Sequence, residues 1–268
     1  MAEARILRGV FRWLRRHATV QAVPSASSGD STRNRLRVLV LGIYLADRPN
    51  TAGHLVSAFS SSRQLDVVQR WVALAGAPAD AAVDAVTVER RTDCEPKFTV
   101  LNRLLLQHGW QGFDYIVFCD DDIVVPRGFL DAFLSYQVRC DFALAQPART
   151  RTSYADRKFV RAMRGVNARR TRFVEIGPLF SVRADLAALI LPFDETSPMG
   201  WGYDFVWPVV AEGAGLRLGV VDATAVDHSL RGQATAYSSA AASHAMVAYL
   251  QRHRHLTKQE AFTVLETY

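Results

Sequence analysis

The chain has 268 residues, of which 49% are hydrophobic, 22% charged and 10% aromatic. That composition excludes a disordered, collagen-like or coiled-coil protein, and the length suffices for one large domain or two small ones with a sizeable core. The formal net charge is +6, but residues 1–37 hold eight arginines against only Glu3 and Asp30. The rest of the chain is balanced, so the basic character belongs to an N-terminal tail and no nucleic-acid-binding face is expected.

The tail segment Arg5–Arg16 (RILRGVFRWLRR) places Ile6, Val10 and Trp13 or Leu14 on one helical face among arginines. It reads as a solvated basic terminus or as a short helix lying on a membrane surface. No apolar run of about 18 residues is present, and arginines interrupt any signal-peptide core. The expectation is a cytoplasmic protein, with peripheral contact at the inner face of the membrane as the alternative use of the tail. Cys94, Cys119 and Cys140 are too widely spaced for a disulfide framework or a metal motif, which fits a reducing compartment. Residues 23–34 have linker composition. The organisation expected is a tail and linker over 1–34, one α/β domain over 35–235, and C-terminal helices over 236–268. The alanine- and arginine-rich composition suggests a bacterial source.

In chain order, Leu36–Leu45 (LRVLVLGIYL) is a near-continuous apolar run and predicts a buried strand. A helix over Thr51–Ser60 and strands over Leu65–Leu74 and Ala85–Glu89 follow. Lys97–His108 has helical spacing at Phe98, Leu101 and Leu105, with Gly109 as its stop. Tyr115–Cys119 is the most apolar strand and runs into Asp120-Asp121-Asp122. A helix from Pro126 to Tyr136, a strand over Asp141–Ala145, a strand over Phe173–Ile176 and a helix over Ala184–Leu191 come next. A turn at Gly200–Gly202 precedes a helix over Phe205–Glu212, and a strand over Leu216–Val221 ends near Asp227-His228. Ser238–His253 and Thr257–Glu266 read as helices. This alternation predicts an α/β fold with a central, mostly parallel sheet flanked by helices.

Three features carry chemistry. Asp120, Asp121 and Asp122 follow a buried strand, where ligands of open α/β sheets bind. Adjacent carboxylates repel, and a divalent ion with oxygen ligands, Mg²⁺ or Mn²⁺, relieves that conflict. Asp120 and Asp122 lie at alternate positions, suited to holding a metal and a bridging phosphate. His228, at another strand end, is a candidate further ligand, and imidazole favours Mn²⁺ over Mg²⁺. In Met199–Asp204, glycines flank Trp201, whose indole offers a flat apolar face for a sugar ring. Asp204 there is placed to accept a proton from a hydroxyl. Nine basic residues against Asp156 between Arg149 and Arg172 form either a solvated loop or a segment awaiting an anion.

These motifs, in this order, resemble the GT-A glycosyltransferases, in particular the family 2 type. Lys97–Asn102 (KFTVLN) is similar to the helix that precedes the metal strand there. Residues 115–130 resemble its strand–DxD–proline–helix segment, with Asp120 and Asp122 on the DxD positions. Phe193-Asp194-Glu195 resembles its FDE turn, Asp204 falls on its base aspartate and His228 on its late histidine. Gly200-Trp201-Gly202 resembles the GWG loop of β-1,4-galactosyltransferases. Residues 173–181, 200–205 and 219–228 are similar to a plant and bacterial group labelled "lysine-ketoglutarate reductase trans-splicing related". Family 2 enzymes carry Glu-Asp at the base motif, where this chain has Tyr203-Asp204.

The resemblance implies a GT-A-like fold, a nucleotide-sugar donor, a divalent metal (Mn²⁺ or Mg²⁺) and a saccharide, lipid or protein acceptor. It implies metal binding by Asp120, Asp122 and His228, catalysis by Asp204, and donor binding by Asp47, Lys97, Asn102, Asp121, Arg169 and Arg170. Trp201, Gly202 and Glu175 are implied on the acceptor side. The segment 149–172 is expected to close over the diphosphate. Two other readings are open: an aspartate-nucleophile phosphatase using Asp120 and Asp122, although that fold usually carries the motif on its first strand, and a non-catalytic protein that binds a sugar nucleotide.

Overall fold

In a computed structural model, the residues described are 35–77, 80–155, 157–231 and 238–268. The readings of the N-terminal tail and of the linker over 23–34 lie outside them. The elements are β1 (Leu36–Leu45), α1 (Ala52–Ser60), β2 (Leu65–Leu74), α2 (Ala81–Asp84), β3 (Thr87–Arg90), α3 (Lys97–His108), β4 (Tyr115–Cys119), α4 (Phe129–Arg139) and β5 (Phe142–Arg149). A 3₁₀ turn (Lys158–Val160) leads to β6 (Ala168–Thr171), β7 (Leu179–Arg183), α5 (Ala184–Ile190), α6 (Tyr203–Gly213), β8 (Arg217–Val226), α7 (Ser239–Arg252), α8 (Lys258–Ala261) and β9 (Val264–Thr267).

The strands form one sheet in the order β3-β2-β1-β4-β7-β5-β8-β6-β9. Ladders β2–β3, β1–β2, β1–β4 and β5–β8 are parallel, while β7 and β6 are antiparallel to their neighbours. All strands except β6 and β7 therefore point one way.

β1 is legible as a strand because both its faces are covered. Leu39, Leu41 and Ile43 pack with α3, α5 and α6 on one side, while Val38, Val40 and Tyr44 pack with α1 and α4 on the other. Alternation with period two divides the run between the two layers. A third cluster, built on Val160, Phe173, Phe205 and Leu256, anchors the C-terminal segment.

Two expectations change. Phe173–Ile176 is not a strand: Phe173 and Val174 are buried as packing residues, and the backbone N–H of Glu175 donates to the Gln146 side chain rather than to a ladder. Short antiparallel strands instead occupy Ala168–Thr171 and Leu179–Arg183. Thr257–Glu266 is not one helix. A capping box between Thr257 and Glu260 holds only the four residues of α8, and Phe262 then docks against the third cluster. Val264–Thr267 pairs with β6 as the last strand of the sheet. No helix among the described residues is long and apolar enough to cross a membrane.

Candidate active site

β1, β4, β5 and β8 bring their carboxyl ends to the same side of the sheet. Two clamps then fix the aspartate run. The Asp120 N–H donates to the carbonyl of Pro178 at 2.7 Å, just ahead of β7. An antiparallel bridge joins Val124 to Asp227, just beyond β8. Asp122 is thereby set beside His228.

The three carboxylates have separate fates. Asp120 pairs with Nζ of Lys97, the first residue of α3, at 2.7 Å. Lys97 also donates to the Ile176 carbonyl at 3.3 Å. Asp122 places Oδ1 3.2 Å from His228 Nε2 and Oδ2 3.3 Å from Arg231 Nη2. Asp121 turns into the protein, accepts the Leu45 N–H at 2.7 Å and holds both terminal nitrogens of Arg231. Burial pushes Asp121 up to about 6, against the opposing pull of Arg231. Burial also acts to raise Asp122, but His228 and Arg231 outweigh it and hold this carboxyl below its ordinary value. Lys97 and Arg231 also bring positive charge to the aspartate run from within the chain, and His228 stands beside Asp122.

The fit to a metal is partial. Among the described residues, no three His, Cys, Asp or Glu side chains converge into a metal-binding group. Asp122 Oδ1, however, is buried without an aligned hydrogen bond, and His228 Nε2 stands 3.2 Å away. Two ligands at about 2.1 Å from an octahedral ion stand about 3 Å apart, so this pair matches one edge of such a shell.

A cleft of about 560 Å³ brings together Lys97, Asp120, Asp122, Glu175, Trp201, Gly202, Asp204 and His228. Its tryptophan loop depends on two glycines with left-handed backbone, Gly200 (φ +76°) and Gly202 (φ +100°). A Cβ on Gly200 would stand 2.1 Å from the Phe98 ring, so the loop sits directly on the α3 core. Gly202 caps α6, and Asp204 lies in the first turn of that helix. Pro208 lacks the N–H that would bond the Asp204 carbonyl. The Asp204 carboxyl is pushed up to about 7, first by burial and then by the charge of Glu175, with Arg157 acting oppositely. Glu175 itself is held by Arg149 at 2.8 Å. Tyr203, where family 2 enzymes carry glutamate, is a core residue: its ring lies 4.9 Å from Phe98 and 4.9 Å from Trp207, and its hydroxyl donates to the Asp194 carbonyl.

Other expected donor-binding residues lie outside this cleft. Asp121 faces inward, as described. Asn102 makes paired hydrogen bonds of 2.8 Å with the backbone of Phe193 and so holds the FDE turn. Arg169 is buried, paired with Asp222 at 2.9 Å and bonded to the carbonyls of Phe159 and Arg161. Arg170 pairs with Glu266 at 2.6 Å on the sheet edge. Asp47 pairs with Arg48 at 3.0 Å beyond the end of β1. From the basic segment only Arg149 and Arg157 line the cleft, and the expected closure over the diphosphate has no counterpart in Arg169 or Arg170.

Sequence reasoning missed Arg231, and it named Arg149 only as one end of the basic segment, not as the partner of Glu175. The available signal for Arg231 is its position three residues after His228. Ser243, Met246 and Lys258, from the C-terminal helices, also line the cleft, and no motif marks them.

No family model matches the sequence, and no curated protein matches it, so the likeness to the plant and bacterial group rests on its motifs alone. Among solved structures the chain is similar to GalNAc-T7 with UDP, GalNAc and Mn²⁺, at TM-score 0.51 and 12% identity, over 73% of this chain and 44% of that one. Weaker likenesses are to the mannosyltransferase PcManGT from Pyrobaculum calidifontis with GDP-Man and Mn²⁺ and to S. aureus TarS 1–349. The first has TM-score 0.47 and 16% identity over 82% of this chain and 67% of that one. The second has TM-score 0.47 and 10% identity over 72% and 60%. The fold is that of the GT-A glycosyltransferases, and the chain spans less than half the length of GalNAc-T7.

Proposed function

We propose that the protein is a metal-dependent glycosyltransferase that moves a sugar from a nucleotide-sugar donor to an acceptor hydroxyl with inversion. One observation carries this reading: Asp204, the Asp122–His228 pair and the Lys97–Asp120 pair open onto one cleft at the carboxyl ends of the strands. The ligands of GalNAc-T7, a nucleotide, a sugar and Mn²⁺, are of the kind proposed.

Asp122 and His228 would hold a divalent ion, Mn²⁺ or Mg²⁺, which when bound supplies Lewis-acid stabilisation of a leaving diphosphate. Lys97, oriented by Asp120, directs a positive charge into the same end of the cleft. Trp201 offers its face to a sugar ring, and Glu175, fixed by Arg149, accepts hydrogen bonds from acceptor hydroxyls. Asp204 takes the proton from the attacking hydroxyl. β1 to β3 precede the aspartate run, which favours this reading over a phosphatase with its nucleophile on the first strand.

Transfer to water or to an acceptor, measured with Mn²⁺ over a panel of nucleotide sugars, tests the reading. Asp204 acts only when deprotonated, and its carboxyl is raised to about 7. The rate is therefore expected to climb about ten-fold per pH unit below that point and to level off above it. A flat profile across the same range would reassign the base, and no turnover of any donor would support the non-catalytic alternative.

A further inference from the structure

Arg231 is the strongest feature of the site that the proposed reaction leaves without a task. Its guanidinium, 22% exposed, grips Asp121 with both terminal nitrogens, donates to the Pro49 carbonyl at 3.2 Å and reaches Asp122 Oδ2 at 3.3 Å. We infer that Arg231 is a resident counter-cation that sets the affinity of the site for a divalent ion, because its positive charge already occupies one oxygen of the carboxylate the ion needs. The inference rests on the metal-binding role proposed for Asp122 and His228.

The argument follows from which charges can leave. A guanidinium stays protonated at any working pH, so Arg231 cannot yield its place by losing a proton, as an imidazole can. Asp121 is 3% exposed and also takes the Leu45 N–H, so a two-pronged, charge-assisted contact anchors Arg231 to a fixed carboxylate. An ion arriving at Asp122 Oδ1 therefore meets a full positive charge on the neighbouring oxygen of the same carboxylate. Bulk salt screens that repulsion weakly, since both partners are partly buried. Asp120 offers no relief, because Lys97 already holds it. The arrangement offsets two of the three aspartate charges in the metal-free chain and makes the ion compete for its seat.

The test is Mn²⁺ titration of the full chain, following the EPR signal of the free ion, alongside thermal unfolding without metal. Arg231→Met is expected to bind Mn²⁺ about ten-fold more tightly than wild type and to unfold at a lower temperature when metal-free. Arg231→Gln, which keeps a hydrogen-bond donor for Asp121, is expected to shift affinity in the same direction and serves if Arg231→Met fails to fold. Wild-type binding that the folded variant leaves equal or weaker would overturn the inference alone. No Mn²⁺ binding by wild type or by either variant would overturn the metal reading and the inference with it.

Discussion

Asp122→Ala is expected to lower Mn²⁺-dependent donor turnover by about 10³-fold while leaving the fold intact. Asp122 supplies the one carboxylate oxygen of the aspartate run that is buried without an aligned hydrogen bond, and this oxygen faces His228. Its loss removes half of the ligand pair. The fold survives because the structural tasks of the run belong elsewhere. The Asp121 side chain holds Arg231 and the Leu45 N–H, and the Asp121 carbonyl accepts the Thr51 hydroxyl at 2.8 Å. Asp121→Ala should show the converse, a protein that unfolds more readily because a partly buried guanidinium loses its buried carboxylate. Steady-state turnover with circular dichroism separates the two. Unchanged turnover in Asp122→Ala would remove the metal from the mechanism.

Asp204→Asn is expected to lower transfer by about 10²–10⁴-fold, with donor affinity unchanged by calorimetry. Asparagine fills the same space and cannot take the proton. The substitution has a second readout with a definite sign. A carboxyl raised in the folded state favours folding fully below the ordinary carboxylate range and loses that contribution as pH climbs through its folded value, here about 7. The wild-type unfolding midpoint should therefore fall relative to Asp204→Asn between mildly acidic and mildly alkaline pH. Normal transfer by Asp204→Asn would assign the base elsewhere, and parallel melting curves would place Asp204 outside the desolvated floor of the cleft.

What the sequence made legible follows from how each signal arises. β1 and β4 are long or wholly apolar runs buried on both faces, and such runs announce themselves. β6 and β7 have four and five residues, too short for a period, and their pairing is fixed by neighbours distant in the chain. The aspartate run was legible as a cluster of charge, but its internal division was not. The bend that follows β4 turns Asp121 inward, away from Asp120 and Asp122, which line the cleft. The basic segment misleads for a related reason. Four of its nine cations, Arg149, Arg169, Arg170 and Arg172, pair with Glu175, Asp222, Glu266 and Glu212, most of them distant in the chain. Arg231 was invisible as a partner because its carboxylate lies 110 residues upstream.

The central claim is that this end of the cleft binds a divalent ion together with a nucleoside diphosphate. Thermal unfolding of the full chain with UDP, GDP, CDP, ADP and dTDP, each with and without Mn²⁺, measures it directly. At least one nucleotide should raise the midpoint only when Mn²⁺ is present, and Asp122→Ala should abolish that rise. No metal-dependent shift with any nucleotide, or a shift that persists in Asp122→Ala, would contradict the claim.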